Sequence, residues 1–147
     1  MQPVETRYKG YRFRSRLEAR WAVFFDALGI KWEYEVEGYD LGDLGWYLPD
    51  FWLTDMKIWV EIKPETASLL EREKVYRLSA LRQEYVLLIE GYPGYDDSYG
   101  VYTYPHKMIL FGGENFDIFD APCFDREKFW GHDTITFENL REKLLND

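Results

Sequence analysis

The chain has 147 residues, with 27 Asp and Glu against 18 Lys and Arg, for a net charge of −9. That length suits one domain able to bury a single core without disulfides. The acidity argues against a protein that coats nucleic acid through a broad basic surface. Cys123 is the only cysteine, which excludes an internal disulfide and a thiolate zinc cluster and fits a reducing compartment, the cytoplasm being the simplest reading.

Repeated cations between Arg7 and Arg20 stand where a signal peptide would be apolar, and no run of about 18 apolar residues exists to span a bilayer, so no membrane association is expected. The net charge hides an asymmetry. Residues 1–20 hold Arg7, Lys9, Arg12, Arg14, Arg16 and Arg20 against Glu5 and Glu18, a balance of +4 that leaves −13 for the other 127 residues. A solvated hairpin and helix start would produce this, and so would a patch that contacts phosphates. Aromatic residues make up 19% of the chain, too many for a disordered one.

Tyr8 to Arg14 alternates aromatic and basic residues around Lys9-Gly10, the pattern of a short hairpin or extended lead-in. Ser15-Arg16-Leu17-Glu18 matches a capping box. Leu17, Trp21, Phe24, Phe25 and Leu28 then recur at helical spacing until Gly29, predicting a helix over about 16–28. Strict alternation over Trp32 to Glu37 predicts a strand with one acidic face, a turn over Gly38 to Gly45, and a hairpin partner at Trp46 to Leu53. The polar segment Thr54 to Lys57 leads to a third strand, Ile58 to Lys63, in an antiparallel meander that Pro64 closes.

Ser68-Leu69-Leu70-Glu71 is a second capping box, opening a helix to about Arg82 with Val75, Leu78 and Leu81 as packing positions. The apolar run Tyr85 to Ile89 reads as a strand covered on both faces. Beyond it, Gly91 to Ser98 reads as a loop, Val101 to Tyr104 and Met108 to Phe111 as short strands, and Gly112-Gly113 as a turn. Phe137, Leu140 and Leu144 suggest a final helix over about 136–145. The expected architecture is a single α/β domain, 1–147. Its core, over 7–90, follows the order helix, three strands, helix, strand, with a mixed sheet flanked by helices. The rest, 91–147, is a β-rich extension ending in a helix and packed on that core.

The strand Ile58 to Lys63 carries a conflict. Its period of two sends Ile58, Val60 and Ile62 to one face and Trp59, Glu61 and Lys63 to the other. A strand buried on both sides should be apolar throughout, so two charges on one face oppose the pattern unless they meet a metal, a substrate or each other. Each part also has a structural explanation. A cross-strand ion pair on a solvated face would produce Glu61-x-Lys63. A bulge or strand start would produce Pro49-Asp50. At the third position of its capping box, Glu18 would ordinarily accept a backbone N–H.

Together, helical Glu18, then Pro49-Asp50 on a strand, then Glu61-x-Lys63 on the next, then a helix and a buried strand, resemble the PD-(D/E)XK nuclease superfamily. The similarity covers residues 7–90 and is nearest to small resolvase-like, transposon-end and phage-type nucleases. It implies a restriction-endonuclease-like core and a Mg²⁺-dependent (or Mn²⁺-dependent) endodeoxyribonuclease. In that scheme Asp50, Glu61, the Ile62 backbone carbonyl and Glu18 hold the metal, and Lys63 orients or activates the attacking water. It also implies a dimer, because cutting two strands takes two sites.

The chemistry gives these residue types a reason to meet. Phosphodiester hydrolysis needs a nucleophilic hydroxide, neutralised phosphoryl oxygens and a stabilised leaving oxygen, all of which a bound Mg²⁺ supplies. One or two carboxylates suffice for Mg²⁺. Without metal the clustered acids repel and at least one carboxyl pKa should rise. Lys9, Arg12, Arg14 and Arg16 are the candidates for holding the DNA backbone, and Lys74 and Gln83 are further polar candidates on the second helix.

Competing chemistries lack residues. His106 and His132 are the only histidines and lack the spacing of a helical zinc pair. No Gly-rich loop with Lys-Ser/Thr exists for a nucleotide cofactor. The tyrosines at 92, 95, 99, 102 and 104 suit packing or base stacking. The net charge supports a rival reading: an inactive protein of the same fold that binds nucleic acid or a protein partner, imitates DNA as an acidic inhibitor, or serves as a subunit of a larger nuclease assembly.

Overall fold

The computed structural model describes residues 5–91, 94–96, 101–103 and 107–112. Thr6–Tyr8 (β1) and Tyr11–Phe13 (β2) pair antiparallel across Lys9-Gly10, both of which have positive φ. Ser15 caps the helix Arg16–Ala27 (α1) with its side chain. Trp32–Tyr34 (β3) follows, then Tyr39–Asp40 (β4) and Trp46–Tyr47 (β5), which pair around a 3₁₀ turn at Gly42–Leu44. Next come Phe51–Leu53 (β6), Ile58–Lys63 (β7), the helix Leu69–Arg82 (α2) and Tyr85–Glu90 (β8). Gly94–Asp96 (β9) pairs with Val101–Thr103 (β10), and Lys107–Phe111 (β11) returns to the main sheet.

Among the described residues the main sheet has five strands in the order β11-β8-β7-β6-β3. Only β7 and β8 run parallel, because α2 carries the chain back between them; every other neighbour is antiparallel. The protein is therefore α/β with a mixed sheet. The alternation along β7 separates two cores. Ile58, Val60 and Ile62 join Phe13, Trp21, Phe25 and Phe51 on the α1 side, while Trp59 joins Val75, Leu78, Val86 and Leu88 on the α2 side. Each large side chain buried this way contributes about 1.5–3 kcal/mol. Two ties bring α1 to the C-terminal end of β7: Trp21 Nε1 donates to the Gly91 carbonyl at 3.1 Å, and Gly91 N–H donates to the Lys63 carbonyl at 2.8 Å.

Several expectations are corrected. The strand predicted over 32–37 stops at Tyr34, because Glu35 takes a left-handed φ of 48° while its side chain pairs with Arg14. The stretch 38–45 is more than a turn, since Tyr39–Asp40 finds a partner in Trp46–Tyr47. The strand predicted over 46–53 is broken at Leu48-Pro49-Asp50, where proline has no donor for the ladder. The loop expected over 91–98 contains β9, whose main chain pairs with β10.

Leu81 does not pack: it is 56% exposed, whereas Val75, Leu78 and Ser79 are buried. Two successive steps of three residues drift by roughly 120° around an α-helix, which carries position 81 off the buried stripe. The predicted helix over 136–145 lies outside the described residues, as do the tyrosines at 92, 99 and 104 and the histidines. Among the described residues, no helix is long and apolar enough to cross a membrane.

Candidate functional site

The break at Leu48-Pro49-Asp50 places Asp50 just before β6. Extending the β6–β7 register by one step sets it opposite Glu61. Two backbone groups fix it there. Glu35 N–H donates to the Asp50 carbonyl at 2.9 Å, and Ile62 N–H donates to Asp50 Oδ2 at 2.8 Å. The left-handed Glu35, which costs about 1–2 kcal/mol for a residue other than glycine, is thus part of how Asp50 is seated.

Glu18 comes from α1, and its carboxylate does not cap the helix backbone. Ser15 Oγ donates to Glu18 Oε2 at 2.6 Å, and the buried Tyr34 hydroxyl donates to Glu18 Oε1 at 3.0 Å. The Tyr34 oxygen accepts Arg14 N–H at 3.0 Å. Two hydroxyls therefore turn Glu18, only 7% exposed, inward toward Asp50. Tyr34 had no signal in the sequence beyond its place on the apolar face of a strand, so sequence reading missed it.

Glu61 is also 7% exposed, and among the described residues its Oε1 has no hydrogen-bond partner. The buried Tyr47 hydroxyl near it is likewise unpartnered, and burial together with the Glu61 and Asp50 charges pushes that phenol well above its ordinary pKa. Glu61 Oε2 lies 3.4 Å from Lys63 Nζ. The acids perturb one another as the clustering predicts. Burial, the charges of Glu61 and Glu18, and contact with Glu18 drive the Asp50 carboxyl well above the carboxylate range, against the pull of Ile62 N–H. Burial raises Glu61 too, with the Lys63 charge opposing it.

Lys63 moves the other way from a lysine activated by burial. Its burial favours the neutral amine, but Glu61, Glu71 and Asp50 outweigh it and hold the ammonium above its ordinary pKa. In this arrangement its acidic neighbours keep Lys63 a charged ammonium. Glu71, read in the sequence as a helix cap alone, lies 2.8 Å from Lys63 Nζ.

Among the described residues no set of three or more His, Cys, Asp or Glu side chains forms a group that could hold a metal ion. The facing pair Asp50 and Glu61, with Glu18 at the side of Asp50, still meets the lesser demand of Mg²⁺ for one or two carboxylates. A buried, unpartnered carboxylate oxygen beside a repelling acid is a donor set that a divalent cation would relieve.

The basic residues are less available than expected. Lys9 pairs with Asp26 at 3.1 Å, Arg12 with Glu5 at 3.1 Å and Arg14 with Glu35 at 2.8 Å. Arg16, exposed on the first turn of α1, has no ion pair among the described residues and stands two positions from Glu18. A shallow concavity lined by Arg7, Tyr8, Lys9, Gly10 and Arg12 lies on the hairpin. Gln83 does not reach the site: it ends α2 in a left-handed conformation and donates to the Ala80 carbonyl. No family model, curated protein or solved structure matches the chain.

Proposed function

We propose that the chain is a metal-dependent nuclease that hydrolyses phosphodiester bonds in DNA, with a restriction-endonuclease-like core. The observation that carries the reading is the meeting of Asp50 and Glu61 across β6 and β7, with Glu18 beside Asp50, Lys63 beside Glu61, and one buried Glu61 oxygen left without a partner. Replacing such a cluster by apolar residues would satisfy the sheet better, so its persistence suits a functional site.

Asp50, Glu61 and the Ile62 carbonyl would hold Mg²⁺ or Mn²⁺, with Glu18 reaching it directly or through water. When bound, the ion supplies an ionised water and neutralises charge on the phosphoryl oxygens. Ile62 N–H holds the Asp50 carboxylate in one orientation toward that position. Ser15 and Tyr34 do the same for Glu18. The Lys63 ammonium donates to the attacking water or to a phosphate oxygen and aligns it for displacement. Arg16 contacts the backbone on the α1 side, with Arg7 and the hairpin cations beyond it.

The test is cleavage of supercoiled and branched DNA with Mg²⁺ or Mn²⁺, alongside calorimetry with Mn²⁺. Wild-type protein is expected to bind the ion and cut, Glu61→Ala to do neither, and Lys63→Ala to bind without cutting. Cleavage that persists in both variants would refute the assignment.

The net charge of −9 and the neutralisation of Lys9, Arg12 and Arg14 by neighbouring acids favour a second reading: an acidic module of this fold that binds a protein partner or imitates DNA. Mn²⁺ calorimetry separates the two, because such a module has no use for the ion.

A further inference from the structure

Lys63 has two carboxylates within reach, and the nearer one lies outside the acid cluster. Its Nζ is 2.8 Å from Glu71 Oε2 and 3.4 Å from Glu61 Oε2. Glu71 occupies the third position of α2. There its Oε1 accepts Ser68 N–H at 2.9 Å, while Ser68 Oγ accepts Glu71 N–H at 3.1 Å, completing a capping box. One carboxylate thus serves two partners, with one oxygen for each.

Resting on the nuclease reading above, we infer that Glu71 is the positioning residue for Lys63: the capping box fixes the Glu71 side chain, and the fixed carboxylate fixes the ammonium beside Glu61. The cap alone does not require this. A capping box works with Gln as well as Glu at its third position, because the helix needs only an oxygen acceptor. The helix dipole gains only modestly from a negative charge there, whereas the lysine's ion pair depends on it.

Lysine carries a compact charge on a flexible stem. The single contact to Glu61 at 3.4 Å would leave that stem several rotamers. The contact at 2.8 Å, from a carboxylate already tethered to a helix terminus, removes them. The neighbouring acid on β8 does not compete for the lysine. Glu90 stands opposite Lys63 in the strand register, but among the described residues the ion pairs of Lys63 are with Glu61 and Glu71, and Glu90 is turned to Arg72 and Ala67 N–H. On this reading the labour is divided: Asp50 and Glu61 would hold the ion, and α2 aims the ammonium.

Glu71→Gln separates the two duties, because its amide oxygen still accepts Ser68 N–H while the charge is lost. The first readout is the lysine side-chain ammonium spectrum of the full chain at low temperature, with Lys63→Arg assigning the signal. Wild type should show a slowly exchanging Lys63 ammonium, and Glu71→Gln and Glu71→Ala should both lose it. Thermal unfolding should separate the variants, with Glu71→Gln near wild type and Glu71→Ala lower through loss of the cap.

In the cleavage assay, Glu71→Gln should lower kcat about tenfold, with KM and Mn²⁺ affinity unchanged. An undisturbed Lys63 signal in Glu71→Gln, or a lost signal with full kcat, would overturn the assignment. So would weakened Mn²⁺ binding, which would make Glu71 a metal ligand. If the wild-type protein cuts no DNA, the nuclease reading fails by itself, and the ammonium signal still decides whether Glu71 holds Lys63.

Discussion

Asp50→Asn should stabilise the metal-free protein while removing the proposed metal site. Asp50 Oδ2 accepts Ile62 N–H at 2.8 Å, and an asparagine carbonyl oxygen can keep that bond. On its other side the carboxyl faces Glu61 and Glu18, and burial with those two charges pushes its pKa well up. An amide there removes the repulsion and offers an N–H to an acid. Relief of a functional-site conflict of this kind is worth about 1–2 kcal/mol. For a chain of this length that corresponds to roughly 3–8 °C in Tm.

The sign of the pH dependence follows from the upward shifts of Asp50 and Glu61. A carboxyl whose pKa is higher in the folded state contributes stability that is complete below its unfolded value, about pH 4, and is lost as pH rises through the folded value. The two acids face each other and titrate as a pair. With chelator present, wild type should lose stability between mildly acid and mildly alkaline pH more steeply than Asp50→Asn, and the gap should close in acid. Saturating Mn²⁺ should reverse the order, since an ion at a hundred times its Kd adds about 2.7 kcal/mol to the protein that binds it. Differential scanning fluorimetry across pH, with chelator and with Mn²⁺, is the assay. A variant that melts at or below wild type at pH 7.5 in chelator would refute the reasoning, as would a gap independent of pH.

Arg72→Met should be among the most damaging changes on α2. Its guanidinium lies 3.2 Å from Glu90 Oε2, on a fully buried side chain whose Oε1 already lacks a partner. Leaving that buried carboxylate without its cation, and with Ala67 N–H as its remaining partner among the described residues, costs about 3–5 kcal/mol, read as a lowered urea midpoint, and a loss under about 1 kcal/mol would show that another cation takes the place of Arg72. Arg16→Ala should weaken duplex binding regardless of sequence and reduce the salt slope by about 1, as expected for one lost phosphate contact. Arg12→Ala, whose guanidinium is already paired with Glu5, should weaken binding less in the same fluorescence-anisotropy titration.

The hydrophobic periods made the core elements legible. Seven apolar and capping positions set α1, and the alternation along Ile58 to Lys63 matched both the limits of β7 and the two cores it divides. The strand break at Pro49 was offered by its missing donor as a bulge or strand start, against an aromatic pattern on either side that reads as one continuous strand. Glu35 defeats alternation altogether: its left-handed backbone is sustained by a hydrogen bond to Asp50 and an ion pair to Arg14, both distant in sequence. The basic residues looked free for the same reason, since Glu5, Asp26 and Glu35 are revealed as their partners only by the folded geometry.

Two four-residue signatures show where local reading ends. Ser15-Arg16-Leu17-Glu18 and Ser68-Leu69-Leu70-Glu71 are the same capping pattern, and in both the serine oxygen accepts the N–H of the glutamate. The glutamates then diverge. Glu71 returns one oxygen to its own helix and gives the other to Lys63, a half-buried arrangement that uses both oxygens. Glu18 gives its helix backbone nothing, because Tyr34 and Ser15 offer hydroxyl donors in a buried place where an unpaired oxygen would be costly. Propensity favours acids in the first turn of either helix. Which acid caps and which turns toward Asp50 is decided by a tyrosine on β3 and a lysine on β7, so the two sides of the site are set by tertiary partners acting on identical local sequence signals.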